Sequence, residues 1–310
     1  MTRLLVLIAS CLLATAANAG KRIALTFDDV PRDRGAFMTP DERTAKLIAG
    51  LKRAGVRQAA FFLNPGSLAK PDGVGGESRI RAYVAAGHAI ANHSFSHPHL
   101  NQLSPAEFLA DVDAAGAWLK GRKGSRPWFR FPFLDEGGSD KAKRDAVRAG
   151  LRARGLRNGY VTVDGSDWNL EALTVEAQRA GKAIDMAALR DLYVSTMVEA
   201  ANFYDDLAKR TNGRSPAHVL LLHETDLAAL FVPDLVAALK RDGWTITTAD
   251  KAFSDPISKA MPDVPVAQGT LTEALAWEKG LPAPRWYARN NLTLANALFA
   301  DRVLKEPAPK

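Results

Sequence analysis

The chain has 310 residues, of which 47% are hydrophobic, and it carries a formal net charge of +7. This length and apolar content exclude a disordered protein and predict one large domain with a well-buried core. The basic balance suits either an anionic polymer as partner or simply a surface rich in lysine and arginine.

The N-terminal segment has the pattern of a cleavable secretory signal. Arg3 precedes an apolar run at 4–14, and the small-residue sequence Ala17-Asn18-Ala19 stands just before Gly20. We therefore expect cleavage before Gly20 and an exported protein, in the periplasm or outside the cell. A buried N-terminal helix is the alternative, although no polar face interrupts the apolar run.

Export has consequences for partners and for redox chemistry. The apolar run is too short for stable membrane insertion, and an exported protein does not meet intracellular nucleic acid. Cys11 is the single cysteine, so cleavage would leave a chain without disulfides, stabilised by packing alone. A lipid attached at Cys11 is the alternative fate of this segment.

Seven short, β-prone apolar runs alternate with helix-like segments between residues 22 and 250. The runs are Arg22–Asp29, Gln58–Asn64, His88–His93, Trp128–Phe133, Tyr160–Asp164, Val219–His223 and Trp244–Asp250. The predicted helices, bounded by Ser-Pro, Gly and Asn-Gly signals, are 41–54, 78–86, 104–120, 139–154, 185–211 and 232–241.

This alternation predicts an α/β fold in which crossover helices join parallel strands. Seven such units favour a closed or nearly closed barrel, and an open doubly wound sheet would give a similar pattern. We expect a signal segment at 1–19, a main domain at 20–254 and a C-terminal extension at 255–310. The extension ends in a helix-like segment, 291–304, whose apolar stripe predicts packing on the barrel, and the sequence assigns it no chemistry.

Polar residues follow several of the predicted strands, at the end where α/β folds bind their ligands. Asp28 and Asp29 place two carboxylates at the end of a buried run, although aspartates also start turns, especially ahead of Pro31. His93 and His97 are four residues apart. One helical turn between them would put both imidazoles on one face, where they could chelate a metal, and otherwise they are polar loop residues.

Three further residues have side chains suited to acid–base chemistry. His223 ends a run of four apolar residues and is either a proton donor in a cleft or a hydrogen-bonded core histidine. Arg130 could hold a carboxylate with two hydrogen bonds, and Asp167, beside Trp168, could orient a histidine. Structural ion pairs are the alternative for both.

Five fragments follow one another along the chain: Thr26-Phe27-Asp28-Asp29, His93-Ser94-x-x-His97-Pro98, Arg130-x-Pro132-Phe133, Asp164-x-x-Asp167-Trp168 and Leu221-x-His223. In this order they resemble the five motifs of the polysaccharide deacetylase family (NodB homology, carbohydrate esterase family 4). The resemblance covers residues 22–250 and implies the deformed (β/α) barrel of that family, with the catalytic domain at 20–254.

The resemblance implies a metal site and an acid–base pair. Asp29, His93 and His97 would bind a divalent metal ion, zinc in the first place, with cobalt or another divalent ion as alternatives. Asp28 would be the general base and His223 the general acid. Three protein ligands leave an open position on zinc, as catalytic sites require.

The resemblance also implies supporting residues. Arg130 would hold Asp28 in place, and Asp167 would tune His223. A backbone N–H near Phe133 would help to bind the developing oxyanion. The implied walls of the acetyl pocket are Phe133, Trp168 and Leu221.

Three positions depart from the family pattern. Val30-Pro31 follows the paired aspartates where glycine is usual, Phe133 replaces the commoner tyrosine, and Glu224 follows His223 where aspartate is usual. None of these changes removes an implied catalytic group. We therefore expect a metal-dependent hydrolase that removes N- or O-linked acetyl groups from a cell-envelope or extracellular polysaccharide.

Two other functions fit the same residues. One is a metal amidohydrolase of the same fold that acts on a small amide, and the other is a sugar-binding protein that has lost catalysis. A binding protein has no need of a proton donor beside a metal triad, which favours the enzyme. The sequence specifies neither the polysaccharide nor the oligomeric state.

Overall fold

The computed structural model describes residues 20–306. The predicted signal segment, with Cys11, lies outside the described residues, so the expected cleavage before Gly20 stays a prediction. None of the helices in the described range is long and apolar enough to cross a membrane.

Parallel strands form the centre of the molecule. The strands within residues 20–306 are β1 (Arg22–Val30), β2 (Ala60–Leu63), β3 (Ala89–Asn92), β4 (Ser125–Phe129), β5 (Asp135–Gly138), β6 (Arg157–Asn158), β7 (Val163–Asp164), β8 (Ala217–His223), β9 (Thr245–Ile246) and β10 (Ala267–Gln268). The order in the main sheet is β6-β4-β3-β2-β1-β8-β7, and β9 pairs with the start of β1. All pairs in this sheet are parallel, which confirms the predicted deformed barrel of about seven parallel strands.

A short segment, residues 157–164, joins the two edges of the curled sheet. Its first part, β6, pairs with β4, and its last part, β7, pairs with β8. Between them, Gly159 N donates to Phe129 O at 2.6 Å and Thr162 N donates to Val219 O at 3.0 Å. The predicted single strand Tyr160–Asp164 is therefore wrong in its extent, because the chain changes partner halfway and forms two strands of two residues.

Both faces of the sheet are buried, which explains why the strands are continuous apolar runs. Because side chains alternate along a strand, Ile23, Leu25 and Phe27 face the surrounding helices, whereas Ala24 packs inside the barrel. The interior cluster is filled by aromatic rings, including Trp128. The sheet is therefore a packed core, and the polar residues at its carboxyl end stand on a rigid base.

Helices surround the sheet. Those within residues 20–306 are α1 (Pro40–Arg53), α2 (Gly76–Ala85), α3 (Pro105–Leu119), α4 (Lys141–Ala153), α5 (Asp167–Arg179), α6 (Met186–Asn212), α7 (Asp226–Arg241), α8 (Ala249–Ala252), α9 (Leu271–Glu278) and α10 (Leu292–Phe299). The six predicted helices correspond to α1–α4, α6 and α7.

Several predicted boundaries differ from the structure. Helix α5 has no counterpart in the sequence prediction, and α7 begins at Asp226 rather than at residue 232, so that Pro233 lies inside it. The predicted strand Trp128–Phe133 ends at Phe129. The predicted helix 291–304 is α10 followed by a π-helical turn, Ala300–Leu304.

The C-terminal extension lies against the barrel. Strand β10 pairs antiparallel with β5, and α9 contacts α6. Leu271 N donates to Val161 O at 2.8 Å, and Thr272 Oγ1 donates to Thr162 O at 2.9 Å. These bonds join the extension to the segment that connects the sheet edges.

Candidate metal and catalytic site

A cleft of about 410 Å³ lies at the carboxyl ends of the parallel strands. Eight residues that the sequence predicted for the site line it: Asp28, Asp29, His93, His97, Phe133, Trp168, Leu221 and His223. The other two, Arg130 and Asp167, are buried and contact the cleft residues from behind. The structure therefore brings together residues that lie far apart along the chain.

Asp29, His93 and His97 form a compact group of potential metal ligands. One ligand atom from each lies within 4.8 Å of the others. Asp29 Oδ1 is 3.1 Å from His97 Nε2 and 3.6 Å from His93 Nε2. Along a regular strand Asp28 and Asp29 would face opposite sides, but Asp29 has φ = 64°, which turns both carboxylates into the cleft.

The turn that carries the two histidines is not helical. Ser94 and His97 have positive φ values of 68° and 60°, so the chain makes no helical turn between His93 and His97. Side chains hold the turn instead. Asn92 Oδ1 accepts from Ser94 N at 2.8 Å, Ser94 Oγ accepts from His97 N at 3.1 Å, and two further backbone N–H groups donate to Asp111 Oδ2.

The atoms of this triad fit a bound cation. Asp29 Oδ1 is buried without a hydrogen-bond partner among the described residues, which is costly unless a ligand satisfies it. His93 Nδ1 lies 2.9 Å from the carbonyl oxygen of Arg130, so Nδ1 carries the proton and Nε2 presents its lone pair to the cleft. Arg32 Nη1 donates to Asp29 Oδ2 at 2.7 Å and orients the carboxylate.

The same contacts control the ionisation of Asp29. Burial alone raises the pKa of Asp29. The neighbouring His93 and His97, followed by the charges of His223 and Arg32, lower this pKa well below its ordinary value. Asp29 is therefore an anion at any physiological pH, as a metal ligand must be.

Asp28 is held by a buried arginine. Arg130 Nη1 donates to Asp28 Oδ1 at 2.6 Å and to Thr26 Oγ1 at 2.9 Å, and Arg130 Nε donates to the carbonyl oxygen of Gly159 at 2.6 Å. The guanidinium also lies 3.8 Å from the ring of Phe62. A buried carboxylate needs such a partner, and the fixed arginine leaves Asp28 Oδ2 directed toward His93 Nε2, at 3.6 Å.

The partly buried His223 pairs with the buried Asp167. Asp167 Oδ1 lies 2.7 Å from His223 Nδ1, and Asp167 Oδ2 accepts from His223 N at 2.8 Å. Burial alone lowers the pKa of His223, but the charge and hydrogen bond of Asp167, aided by Asp29, raise it to about 9. His223 is therefore a cation at neutral pH and has a proton to give.

Aromatic and aliphatic side chains form the wall of the cleft. Leu221 is buried, whereas Phe133 and Trp168 are 46% and 38% exposed and present their rings at the rim. Phe133, at φ = 57°, stacks on His99 with ring centroids 3.5 Å apart. Exposed rings beside a polar centre suit the apolar face of a sugar.

Five cleft residues were not assigned a site role from the sequence: Arg32, His99, Leu134, Asp164 and Gln268. The clearest signal available was at Asp164, a carboxylate that ends a strand in a recognised motif. Its pKa is raised to about 6, chiefly by burial, although the N–H of Ser166 opposes this shift. Arg32 and Gln268 lie in loops or short strands where sequence alone does not distinguish a site residue from a surface residue.

Comparison with known proteins supports the fold and the family. Residues 15–154 match the model of the family described as "Polysaccharide deacetylase", a range that contains the first three motifs. A chitin deacetylase of Colletotrichum lindemuthianum is 32% identical over 113 residues, which cover 36% of this chain and 42% of that protein. A chitooligosaccharide deacetylase of Bradyrhizobium is 31% identical over 100 residues, 32% of this chain and 39% of that protein.

A third relative is a peptidoglycan-N-acetylglucosamine deacetylase of Listeria monocytogenes, 32% identical over 96 residues, which cover 31% of this chain and 18% of that protein. The chain thus spans less than half the length of each of these relatives.

Solved structures share the fold. The chitin deacetylase of Colletotrichum lindemuthianum superimposes with a TM-score of 0.50 at 21% identity, covering 75% of this chain and 87% of that one. A CE4 family pseudoenzyme from Bacillus anthracis gives 0.51 at 18% identity, covering 76% and 66%. These structural matches confirm the fold, and the sequence matches show that the chain is similar to the polysaccharide deacetylase family, as the five motifs predicted.

Proposed function

We propose that this chain is a metal-dependent deacetylase that hydrolyses N- or O-linked acetyl groups on an extracellular or cell-envelope polysaccharide. The observation that carries the proposal is the convergence of three groups in one cleft. These are the Asp29, His93 and His97 triad, the buried carboxylate Asp28, and the protonated His223.

The chain's own residues supply the proton transfers. Asp28, fixed by Arg130, is placed to accept a proton from the attacking water. His223, protonated through its contact with Asp167, is placed to donate a proton to the departing amine or alcohol. The apolar wall at Leu221 leaves room for the methyl group of an acetyl and disfavours longer acyl chains.

A divalent metal ion fits the remaining ligand group. Asp29, His93 and His97 offer one oxygen and two nitrogens, a donor set typical of zinc and also accepted by cobalt. When bound, such an ion supplies a Lewis acid for the acetyl carbonyl and makes water more acidic. We therefore propose zinc first, with cobalt or another divalent ion as alternatives.

The shape of the surface favours a polymer over a small amide. A second cavity of about 640 Å³ shares Asp29, Arg32 and His97 with the cleft, and a third of about 650 Å³ shares Lys70 and Arg179 with the second. Together they make a groove that extends from the candidate metal site. The chitin, chitooligosaccharide and peptidoglycan deacetylases among the relatives also support an acetylated polysaccharide as substrate.

The proposed setting is the periplasm or the cell exterior, reached through cleavage before Gly20. N-terminal sequencing of the protein recovered from the producing cell should give a sequence that starts at Gly20. A chain that starts at Met1, or one lipidated at Cys11, would remove the basis for export as a free enzyme.

The test of the function is acetate release. Peptidoglycan, chitin oligomers and an acetylated exopolysaccharide should be compared with a small aryl amide. Acetate should be released faster from one of the polymers, activity should stop with a chelator, and it should return with zinc or cobalt. A chain that binds sugar but releases no acetate from any of these would be a binding protein, and faster cleavage of the small amide would favour the amidohydrolase.

A further inference from the structure

The C-terminal extension, residues 255–306, reaches the site although the chemistry above gives it no role. We propose that the extension completes the active site: Asn290 positions the turn that presents Asp167 to His223, and Gln268 binds the sugar that carries the acetyl group. This inference rests on the proposed function and names residues that the five motifs do not contain.

Asn290 bridges the turn at the end of β7. Its Nδ2 donates to the carbonyl oxygen of Asp164 at 3.2 Å, and its Oδ1 accepts from Ser166 Oγ at 3.1 Å. Nδ2 also lies 3.3 Å from the hydroxyl of Tyr204 on α6. The side-chain amide of Asn290 therefore links Asp164 and Ser166 to Tyr204 on α6.

This turn needs external support. Ser166 precedes α5 with φ = 52° and ψ = 46°, a left-handed conformation that is unfavourable for a non-glycine residue. Its own side chain makes no capping bond to α5 and points to Asn290 instead. The next residue is Asp167, whose two oxygens hold His223. Because small displacements of an acid–base pair are costly, the bridge at Asn290 controls the proton donor.

Gln268, in β10 of the extension, lines the cleft. In β10 it pairs with Asp135 of β5, and the following N–H, from Gly269, donates to the carbonyl oxygen of Leu134 at 3.3 Å. Gln268 is exposed and lines the same cleft as Phe133. An amide in a cleft that also presents an aromatic ring offers both a donor and an acceptor to a sugar hydroxyl or acetamido group.

The test for Asn290 compares Asn290→Ala with Asn296→Ala. Asn296 also joins the extension to α5, by accepting from Asn169 Nδ2 at 3.0 Å, and it is not among the residues that line the cleft. On an acetylated glucosamine oligomer, Asn290→Ala should lower kcat by roughly 10–100-fold with little change in KM. The loss should be several-fold smaller on an aryl acetate, whose phenolate leaves without a proton. Asn296→Ala should stay within about twofold of the unchanged chain.

Two outcomes would overturn the role of Asn290. One is an unchanged kcat, and the other is an equal loss on both substrates, which indicates general loosening of the fold. Histidine-ring NMR supplies a readout that does not depend on turnover: the His223 signal should move in Asn290→Ala and not in Asn296→Ala. If the unchanged chain releases no acetate, the proposed function fails, and the NMR comparison still decides whether Asn290 positions the pair.

The test for Gln268 compares Gln268→Ala with Gln102→Ala, which removes an exposed glutamine outside the cleft. Loss of one or two sugar hydrogen bonds should weaken oligomer binding, measured by calorimetry, by roughly three- to thirtyfold. KM should rise in parallel while kcat changes less. Equal binding by Gln268→Ala and the unchanged chain would overturn this assignment, whether or not acetate is released.

Discussion

Asp28 and Asp29 are neighbours in the sequence with different surroundings in the structure. Asp28 is buried against Arg130, whereas Asp29 faces two histidine nitrogens and Arg32. A carboxylate held by one fixed arginine suits proton transfer, and a carboxylate oxygen without a partner beside two imidazoles suits a cation. The two residues should therefore respond differently to substitution.

We expect Asp28→Asn to keep its metal and to lose activity. The change preserves size and leaves all three ligands in place, so acetate release should fall by a factor of roughly 10²–10⁴. His97→Ala removes a ligand, so metal affinity and activity should fall together, with partial recovery in excess divalent ion. Elemental analysis beside acetate release measures both quantities. An Asp28→Asn chain that is free of metal, or fully active, would contradict this division.

The pKa of His223 gives a prediction for pH dependence. Asp167 raises this pKa against the effect of burial, to about 9, and the donor works only in its protonated form. Activity should therefore decline as pH rises through the pKa of His223. In Asp167→Asn the negative charge is gone, so the alkaline limb of the kcat profile should move to lower pH by at least one unit. A limb at the same pH in both chains would mean that another group controls it.

At the scale of elements, a buried ion network holds the loop after β1, residues 31–38. Arg43 on α1 donates to the carbonyl oxygens of Arg32 and Asp33, at 2.6 and 2.9 Å, and lies 3.4 Å from Asp226. Glu224 accepts from Arg32 N at 2.9 Å. This network fixes the backbone of Arg32, whose side chain donates to Asp29. The departure from the family pattern at Glu224 thus has a structural role.

We expect Arg43→Met to destabilise the molecule by about 3–5 kcal/mol, because the carboxylates of Asp226 and Glu224, 3.4 and 4.0 Å from Arg43, would stay buried without this cation. Denaturant unfolding measures this loss. The control is Arg81→Met. It changes an exposed side chain paired with Glu77 and should alter the free energy of unfolding only slightly. Metal affinity should also fall in Arg43→Met, and equal stability of the two variants would count against the network.

The sequence predicts the central strands well because β1, β2, β3 and β8 are largely apolar runs with a polar residue at or next to their carboxyl ends. It predicts other features poorly where contacts between residues far apart in the chain determine the conformation. Helix α5 follows Ser166, whose left-handed conformation and missing side-chain cap are tied to its bond with the distant Asn290. The turn from His93 to His97 depends on Asp111 of α3, a contact that spacing alone does not reveal. The partner switch in 157–164 depends on the closing of the sheet.

At the scale of the whole molecule, one acidic group couples stability to pH. Glu273 lies where the extension meets α6, and burial raises its pKa to about 7, against hydrogen bonds with Tyr204 and Thr270. The folded state therefore retains a proton that the unfolded state releases above about pH 4.5. The contribution of this group is fully present below that pH and is lost as pH rises toward 7.

Comparison with Glu273→Gln isolates this effect. The free energy of unfolding of the unchanged chain should fall between pH 5 and pH 8 by roughly 1–3 kcal/mol more than that of the variant. Denaturant titrations of both chains at the two pH values give the difference. The same pH dependence in both chains would show that Glu273 does not cause it.

The segment 157–164, which joins the two edges of the sheet, has a consequence for solubility. Carbonyl groups of Val161 and Thr162 bond to the extension, and apolar side chains of the extension, Ile257 and Leu275 among them, cover the barrel interior. A chain shortened to residue 254 would leave these groups open, and such an uncovered edge is a template for self-association. Light scattering should show larger assemblies for the shortened chain than for the longer one. The extension would then prevent the barrel of one molecule from associating with the barrel of another.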